Sequence, residues 1–389
     1  MLIKEPEITT RPLLEVLESL AADIRRVLLV RSAPEKLIQE GISVLHGWRK
    51  GLDIHLLCHE DRALPGCTSF VYPDKGFFRL EKLDAAALRR ADFDLVLVPY
   101  ATNRRLHPYY ENVDRIAEAA GAKAFVIFYP DSTAVAADKK LLDIKQRQVV
   151  SPYRKRKKEA LLEISAYTGE DIDTVEGKCE QAGLVATSLW LREKPSKEDE
   201  IRHFYQDNDF YIYELMKTEY SGVSDKLVDG VLREVRARER ILDYGGGCGT
   251  LTIALAGAGV KTSHLDLPGK LLDFTAFRFE RRGLPVDLIA AEGKEPITGV
   301  YDTITCIDVL EHLGDPEATL NHLVEHVRPG GKLILEVDFE ENPIKDKPLP
   351  LHLSRIDRSR YHQIVEKELP LEHLKCYAGL DIFRRLENK

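Results

Sequence analysis

The stretch Ile241-Leu242-Asp243-Tyr244-Gly245-Gly246-Gly247-Cys248-Gly249, followed by Thr250-Leu251-Thr252-Ile253-Ala254-Leu255-Ala256, constrains this chain more than any other. A short apolar run ending in an acid, a glycine-dense turn and a helical pattern read as strand, tight loop and helix. Glycine is needed where a backbone takes positive φ, or where a ligand approaches with no Cβ in the way. The dinucleotide fingerprint G-x-G-x-x-G/A, counted from Gly245, would put Gly or Ala at position 250, where this chain has Thr. The spacing is instead acid-x-G-x-G-x-G, through Asp243, Gly245, Gly247 and Gly249.

The residues downstream extend the pattern. Lys261–Leu267 reads as a second strand with Asp266 near its end, where an acid can accept hydrogen bonds from both ribose hydroxyls. Leu267 and Pro268 suit an apolar wall for a base. A helix over 269–282 and a strand Pro285–Ala290 follow, then Ala291-Glu292-Gly293. The fourth strand runs from Tyr301 into Ile307-Asp308-Val309-Leu310-Glu311-His312-Leu313-Gly314-Asp315-Pro316. A helix Pro316–Val327 and the turn Arg328-Pro329-Gly330-Gly331 lead into a fifth strand, Lys332–Val337. Asp338–Leu351 is a long polar loop, followed by a helix around Arg358–Glu368 and two short strands joined at Ala378-Gly379.

In this order the glycine loop, Asp266, the L-E-H turn and the P-G-G strand resemble the class I S-adenosylmethionine (SAM) methyltransferases. The V-L-E-H-x-x-D-P turn resembles the ubiquinone-biosynthesis O-methyltransferase branch; together the likeness covers residues 200–389. It implies a Rossmann-like seven-stranded sheet closed by an antiparallel last strand, with SAM as cofactor. Asp243 and the loop with Gly245, Gly247 and Gly249 would then hold the methionine end, and Asp266 and Leu267 the nucleoside. Glu292 becomes the candidate adenine contact, and Ile307 and Asp308 lie beside the reactive methyl. The aromatic cluster 204–213 would fold over the pocket, with Tyr205 and Tyr211 as its roof or as plain helix packing.

Methyl transfer from SAM to oxygen or nitrogen needs an in-line nucleophile and a group that takes its proton. Candidate bases are His312 and His352, whose ordinary pKa lies near neutrality, with Tyr205 as an orienting group. His322 and His326, on a helix face, read as structural. Asp308, Glu311 and His312 share one turn, and His352 from the loop would complete an oxygen and nitrogen set suited to Mg²⁺, Mn²⁺ or Zn²⁺. Some relatives carry E-x-x-E-H there; this chain has Asp308 in place of the first Glu. The alternative is that Glu311 and His312 cap the turn.

At 389 residues the chain is too long for one ordinary core. Residues 1–150 alternate apolar runs (27–30, 54–58, 69–72, 95–99 and 124–129) with helical patterns, the first over 1–24. That predicts an α/β domain with a parallel sheet covered on both faces. Its short strands resemble one half of a two-Rossmann-domain glycosyltransferase, which implies sugar transfer; the alternative is substrate selection, docking or dimerisation. Arg104, Arg105 and His107 follow its fourth strand, either as an anion site or as a solvated loop. Residues 151–235 form a helical linker or lid, opened by the basic run Arg154–Lys158 and continued by a helix whose successor Ser196 and Glu198 would cap. The third segment, 236–389, is the methyltransferase-like domain.

A net charge of −8 argues against a general nucleic-acid binder and leaves RNA methylation resting on the basic run alone. Six cysteines without C-x-x-C read as reduced thiols, and no apolar run reaches membrane-spanning length, so a cytoplasmic protein is expected. The expected activity is SAM-dependent methyl transfer to a hydroxyl, amine or carbon of a small-molecule substrate, by a monomer or a homodimer. A SAM-binding module without chemistry is the rival class.

Overall fold

A computed structural model describes residues 7–20, 23–74, 77–292, 297–339, 351–353 and 356–387. The chain divides into two compact units between Lys155 and Arg156. Each carries its own seven-stranded sheet.

The first unit contains β1 (Arg11–Pro12), α1 (Leu13–Glu18), β2 (Arg26–Val30), α2 (Glu35–Trp48), β3 (Asp53–Cys58) and β4 (Thr68–Val71). It continues through α3 (Ala85–Arg90), β5 (Leu95–Pro99), α4 (Glu111–Ala120), β6 (Ala124–Phe128), β7 (Thr133–Ala136) and α5 (Lys139–Lys145). Strand order is β1-β7-β6-β5-β2-β3-β4. The strands β2 to β6 pair in parallel, as the apolar runs predicted. The runs are continuous because both faces are covered: Leu28, Val96 and Ile127 pack into one core, and Val27, Leu29 and Leu97 into the other. Two short antiparallel strands, β7 and β1, extend the edge and were not foreseen. The first helix is also shorter than predicted, at Leu13–Glu18.

Helix α6 (Ser151–Thr168) crosses the boundary between the units. The second unit goes on with α7 (Ile172–Glu193), α8 (Glu198–Asp207), α9 (Phe210–Ser221) and α10 (Asp225–Glu234). The cap of α8 differs from expectation. The Glu200 carboxylate, not Glu198, accepts from the Ser196 and Lys197 amides at 3.0 and 3.2 Å. In the basic run, Arg154 pairs with Glu111, Arg156 with Asp225 and Lys157 with Glu176.

The sheet of the second unit contains β8 (Arg240–Tyr244), β9 (Lys261–Asp266), β10 (Asp287–Ala290), β11 (Tyr301–Ile307), β12 (Val327–Glu336), β13 (Leu371–Tyr377) and β14 (Leu380–Arg385). Helices α11 (Thr250–Gly257), α12 (Lys270–Arg282), α13 (Pro316–His326) and α14 (Arg358–Gln363) connect them. The order β10-β9-β8-β11-β12-β14-β13 is the expected Rossmann-like one, with β14 antiparallel to β12 and β13. Leu242, Ile304 and Leu333 face α13 and α14 in one core, while Ile241, Leu255 and Ile334 form the other. The chain switches direction between β8 and β11, so the carboxyl ends of these strands open a crevice, the usual ligand position in such sheets. The loop 338–351 falls mostly on residues 340–350, outside the described residues.

Candidate active site

The glycine loop adopts the conformation its composition demands. Gly245, Gly247 and Gly249 have φ of 68°, 58° and 78°. Gly245 and Gly246 amides donate to Leu265 O at 2.8 and 3.2 Å, which fastens the loop to β9. A cavity of about 400 Å³ opens above it, within the range for small-molecule sites.

Asp243 lies beneath the loop. Its two carboxylate oxygens accept the hydroxyls of Thr252 at 2.7 Å and Thr305 at 2.8 Å, and burial raises its pKa. It touches the cavity, yet its acceptors are already used to hold the loop to β11 and α11. Asp266, at the end of β9, accepts the amides of Gly247 and Leu267, both at 2.7 Å. Burial pushes it up to about 6. Leu267, Ile307 and Asp308 also line the cavity.

Two of the expected cofactor residues sit elsewhere. Gly249 is not in the cavity wall; a Cβ there would meet Phe279 at 2.9 Å, so its role is to let α12 pack against the loop. Glu292 is exposed and outside the wall, where Ala291 stands instead. The Ala291 amide donates to Asp266 O at 2.7 Å, which turns Ala291 inward and the next side chain outward.

The opposite wall is aromatic. Tyr205 and Tyr211 both face the cavity, their rings 5.3 Å apart, with the Tyr211 hydroxyl bonded to that of Tyr205. The Tyr205 hydroxyl lies 3.2 Å from His312 Nδ1, which is also 3.1 Å from Leu351 O. A hydrogen on Nδ1 donated to Leu351 O leaves Nε2 as the basic nitrogen. Burial, and then the neighbouring His352, lower His312 to about 4, so the ring is neutral. His352 stacks edge-on at 4.9 Å and is not part of the cavity wall. His322 instead accepts the Ile297 amide at 3.2 Å, the structural role expected of it.

The carboxylates behind His312 form two groups that share Glu311. Ligand atoms of Glu311, His312 and His352 lie within 4.8 Å of one another, and so do those of Asp308, Glu311 and Glu336. The four expected metal ligands therefore divide into two sets, joined by a residue the sequence did not suggest, Glu336. One oxygen of Glu311 accepts the Asp338 amide at 3.0 Å, while its Oε2 and the Oε2 of Glu336 are buried with no hydrogen-bond partner among the described residues. Burial lifts Glu311 to about 7 and raises Glu336, which also bonds to Asp308. Asp308 reaches the cluster through an unusual backbone, φ 53°.

Helical spacing around the two tyrosines was the signal for other wall residues. On α8, Glu198, Ile201, Arg202 and Tyr205 recur at three- and four-residue steps, and on α9 so do Tyr211, Leu215 and Thr218; all seven face the cavity. Arg202 spans it, donating to Ala291 O at 2.6 Å.

A family described as "Methyltransferase domain" matches residues 216–385. The chain is similar to the ubiquinone biosynthesis O-methyltransferase of Aromatoleum aromaticum, 35% identical over 100 residues, 25% of this chain and 43% of that protein. The same enzyme of Dechloromonas aromatica is 31% identical over 110 residues, 28% of this chain and 47% of that protein. The chain thus spans less than half the length of these relatives. Among solved structures, magnesium protoporphyrin IX methyltransferase from Synechocystis PCC 6803 with bound SAH is 15% identical. It covers 53% of this chain and 97% of its own, at a TM-score of 0.37. With the strand order, the glycine loop and the matched residues together, the C-terminal unit belongs to the class I SAM-dependent methyltransferases.

Proposed function

We propose that this chain transfers the methyl group of SAM to a hydroxyl or amine of a small-molecule acceptor. The observation that carries this reading is one cavity with the glycine loop and Asp266 on one wall and the Tyr205–His312 pair on the other. The cofactor fits the residues present. Positive-φ glycines keep the loop surface free of Cβ atoms, and Asp266 keeps acceptor capacity for ribose hydroxyls beside an apolar wall at Leu267. SAM when bound supplies a methyl already activated by its sulfonium. The protein's part is to hold the acceptor in line, exclude water with the α8–α9 aromatics, and accept a proton. His312, kept neutral by burial, is positioned by Tyr205 and Leu351 O to take that proton on Nε2.

Two buried carboxylate oxygens without partners among the described residues, on Glu311 and Glu336, favour a divalent cation in the same site. Asp308, Glu311 and Glu336 offer an all-oxygen set that suits Mg²⁺ or Mn²⁺, and Glu311, His312 and His352 a mixed oxygen and nitrogen set that suits Mn²⁺ or Zn²⁺. Such an ion would lower the pKa of an acceptor hydroxyl and orient it. The name of the relatives, O-methyltransferase, makes a hydroxyl-bearing acceptor the first class to assay. For the N-terminal unit our reading is substrate selection, docking or dimerisation and not sugar transfer.

Calorimetric titration of SAM into wild type and Asp266→Ala, with metal analysis of both, tests the proposal. Loss of two hydrogen bonds, each worth roughly 0.5–1.5 kcal/mol net, weakens SAM binding at least several-fold. A wild type that takes up no SAM overturns the reading. SAM uptake without bound metal, unchanged by chelator, removes the cation and leaves His312 as the base.

A further inference from the structure

Beneath the cavity, α12 presents two polar side chains to the glycine loop that no ligand contact explains. The Thr275 hydroxyl lies 2.8 Å from Gly247 O and 2.9 Å from Leu271 O of its own helix, and the Arg278 guanidinium donates to Cys248 O. Arg278 is 1% exposed. It donates to Glu163 of α6 at 3.1 Å and to both oxygens of Glu219 of α9 at 2.9 Å. Arg282, one turn on, pairs with Glu163 as well, so two cations face two carboxylates. The Glu219 carboxylate also accepts the hydroxyl of Thr250, the first residue after the loop, at 2.6 Å.

A trans peptide points its N–H away from its C=O. With Gly247 O facing α12 and sharing the Thr275 hydroxyl with Leu271 O, the Cys248 N–H is aimed to the opposite side of the loop, and Cys248 forms part of the cavity wall. Residues 247, 248 and 250 are in this way each held by α12 or α9. The next residue before Glu219 is Thr218, a wall residue on the roof helix that also carries Tyr211. Apolar side chains would close the contact between α6, α9 and α12 as well as this charge cluster does, since burying ions has a large desolvation cost. They cannot donate to a loop carbonyl.

We propose that Thr275, Arg278 and Glu219 are positioning residues for the cofactor. Thr275 and Arg278 orient the loop's peptide planes, and Glu219 ties that orientation to the roof helix α9. The inference rests on SAM being the ligand of this cavity.

The test uses the full chain and calorimetric titration with SAM, alongside thermal melting. Thr275→Val removes the hydroxyl at nearly constant volume and weakens SAM binding roughly three- to ten-fold, the cost of one hydrogen bond in the ligand cradle. Thr275→Ser, which keeps the hydroxyl, restores affinity to within about two-fold, on the same reasoning. Arg278→Lys keeps the charge but loses the fork, and weakens SAM at least as much as Thr275→Val. Leu323→Ala, in the core away from the cavity, lowers Tm but leaves the Kd for SAM unchanged. If wild type binds SAM while Thr275→Val and Arg278→Lys bind it equally well, or if every variant's loss merely follows its Tm, the inference is overturned. Should Arg278→Lys fail to fold, the Val and Ser pair at 275 still decides. A wild type that binds no SAM defeats the functional proposal instead.

Discussion

His264 is fully buried under the glycine loop, its Nδ1 2.9 Å from the Thr252 hydroxyl, which in turn donates to Asp243. Thr252 has only one hydrogen to give, so the imidazole donates from Nδ1, and its buried Nε2 has no hydrogen-bond partner among the described residues. Burial, and then the positive charge of Arg278, depress its pKa from 6.5 to about 4. The unfolded chain takes up this proton below about 6.5, while the native state resists until about 4. The stability His264 contributes is thus fully present above 6.5 and is lost as pH falls toward 4. At 1.36 kcal/mol per pKa unit the loss is about 3 kcal/mol. Urea melts at pH 7 and pH 4 should show wild type giving up about 3 kcal/mol more than His264→Gln over that interval. Parallel losses would mean that the folded protein accommodates the charged ring.

At the scale of elements, the strand–loop–helix unit β8–α11 is built so that glycine serves different ends at successive positions. A Cβ on Gly246 would stand 2.5 Å from the His264 ring, and one on Gly247 2.8 Å from Leu215 of the roof helix. At the end of α11, Gly257 has nothing within 4 Å of an added Cβ and no unusual φ. Gly246→Ala should therefore destabilise by roughly 1–3 kcal/mol through overpacking. Gly257→Ala should stabilise by roughly 0.5–1 kcal/mol, since alanine loses less backbone entropy in a helix. Equilibrium denaturation of the two variants measures both, and opposite signs are the expected outcome. A loss at Gly257 equal to that at Gly246 would show that composition of the segment, not local space, governs it.

For the whole molecule, the boundary between the units bears on how the cofactor-binding part could stand alone. Glu163 of α6 holds Arg278 and Arg282, and α7 packs its Ala186 and Trp190 against Phe204 and Phe210 beside the roof. A chain shortened to start at Ile201 keeps every cavity residue after Glu198 but leaves Arg278 buried without Glu163. Breaking a buried pair from one side costs roughly 3–5 kcal/mol. That chain is expected to melt without a cooperative transition. One starting at Ser151, which retains α6 and α7, should melt cooperatively and bind SAM within about three-fold of the full chain, as no cavity contact is lost. Circular dichroism melts of both, followed by SAM titration, check this. Cooperative folding from Ile201 would show that α6 is dispensable.

Features set by neighbours along the chain were legible from residues alone. The glycine loop declared its strand–turn–helix geometry because positive φ is a local demand, and the apolar runs declared parallel strands because both faces are buried. That Asp266, Tyr205 and His312 line one cavity was legible because each sits at a fixed place on a recognisable element. Only the tertiary structure could decide what depends on pairing between distant segments. Glu336 joins Asp308 and Glu311 because β12 pairs in parallel with β11, setting Ile307 opposite Glu336, a register no linear spacing records. Glu292 yields its place to Ala291 because one hydrogen bond between β9 and the end of β10 fixes which side chain turns inward. By its place in the sequence Arg278 is one more cation on the helix α12. Its partners lie 115 and 59 residues away in sequence, and only the packing of α6 and α9 on α12 makes it the support of the glycine loop.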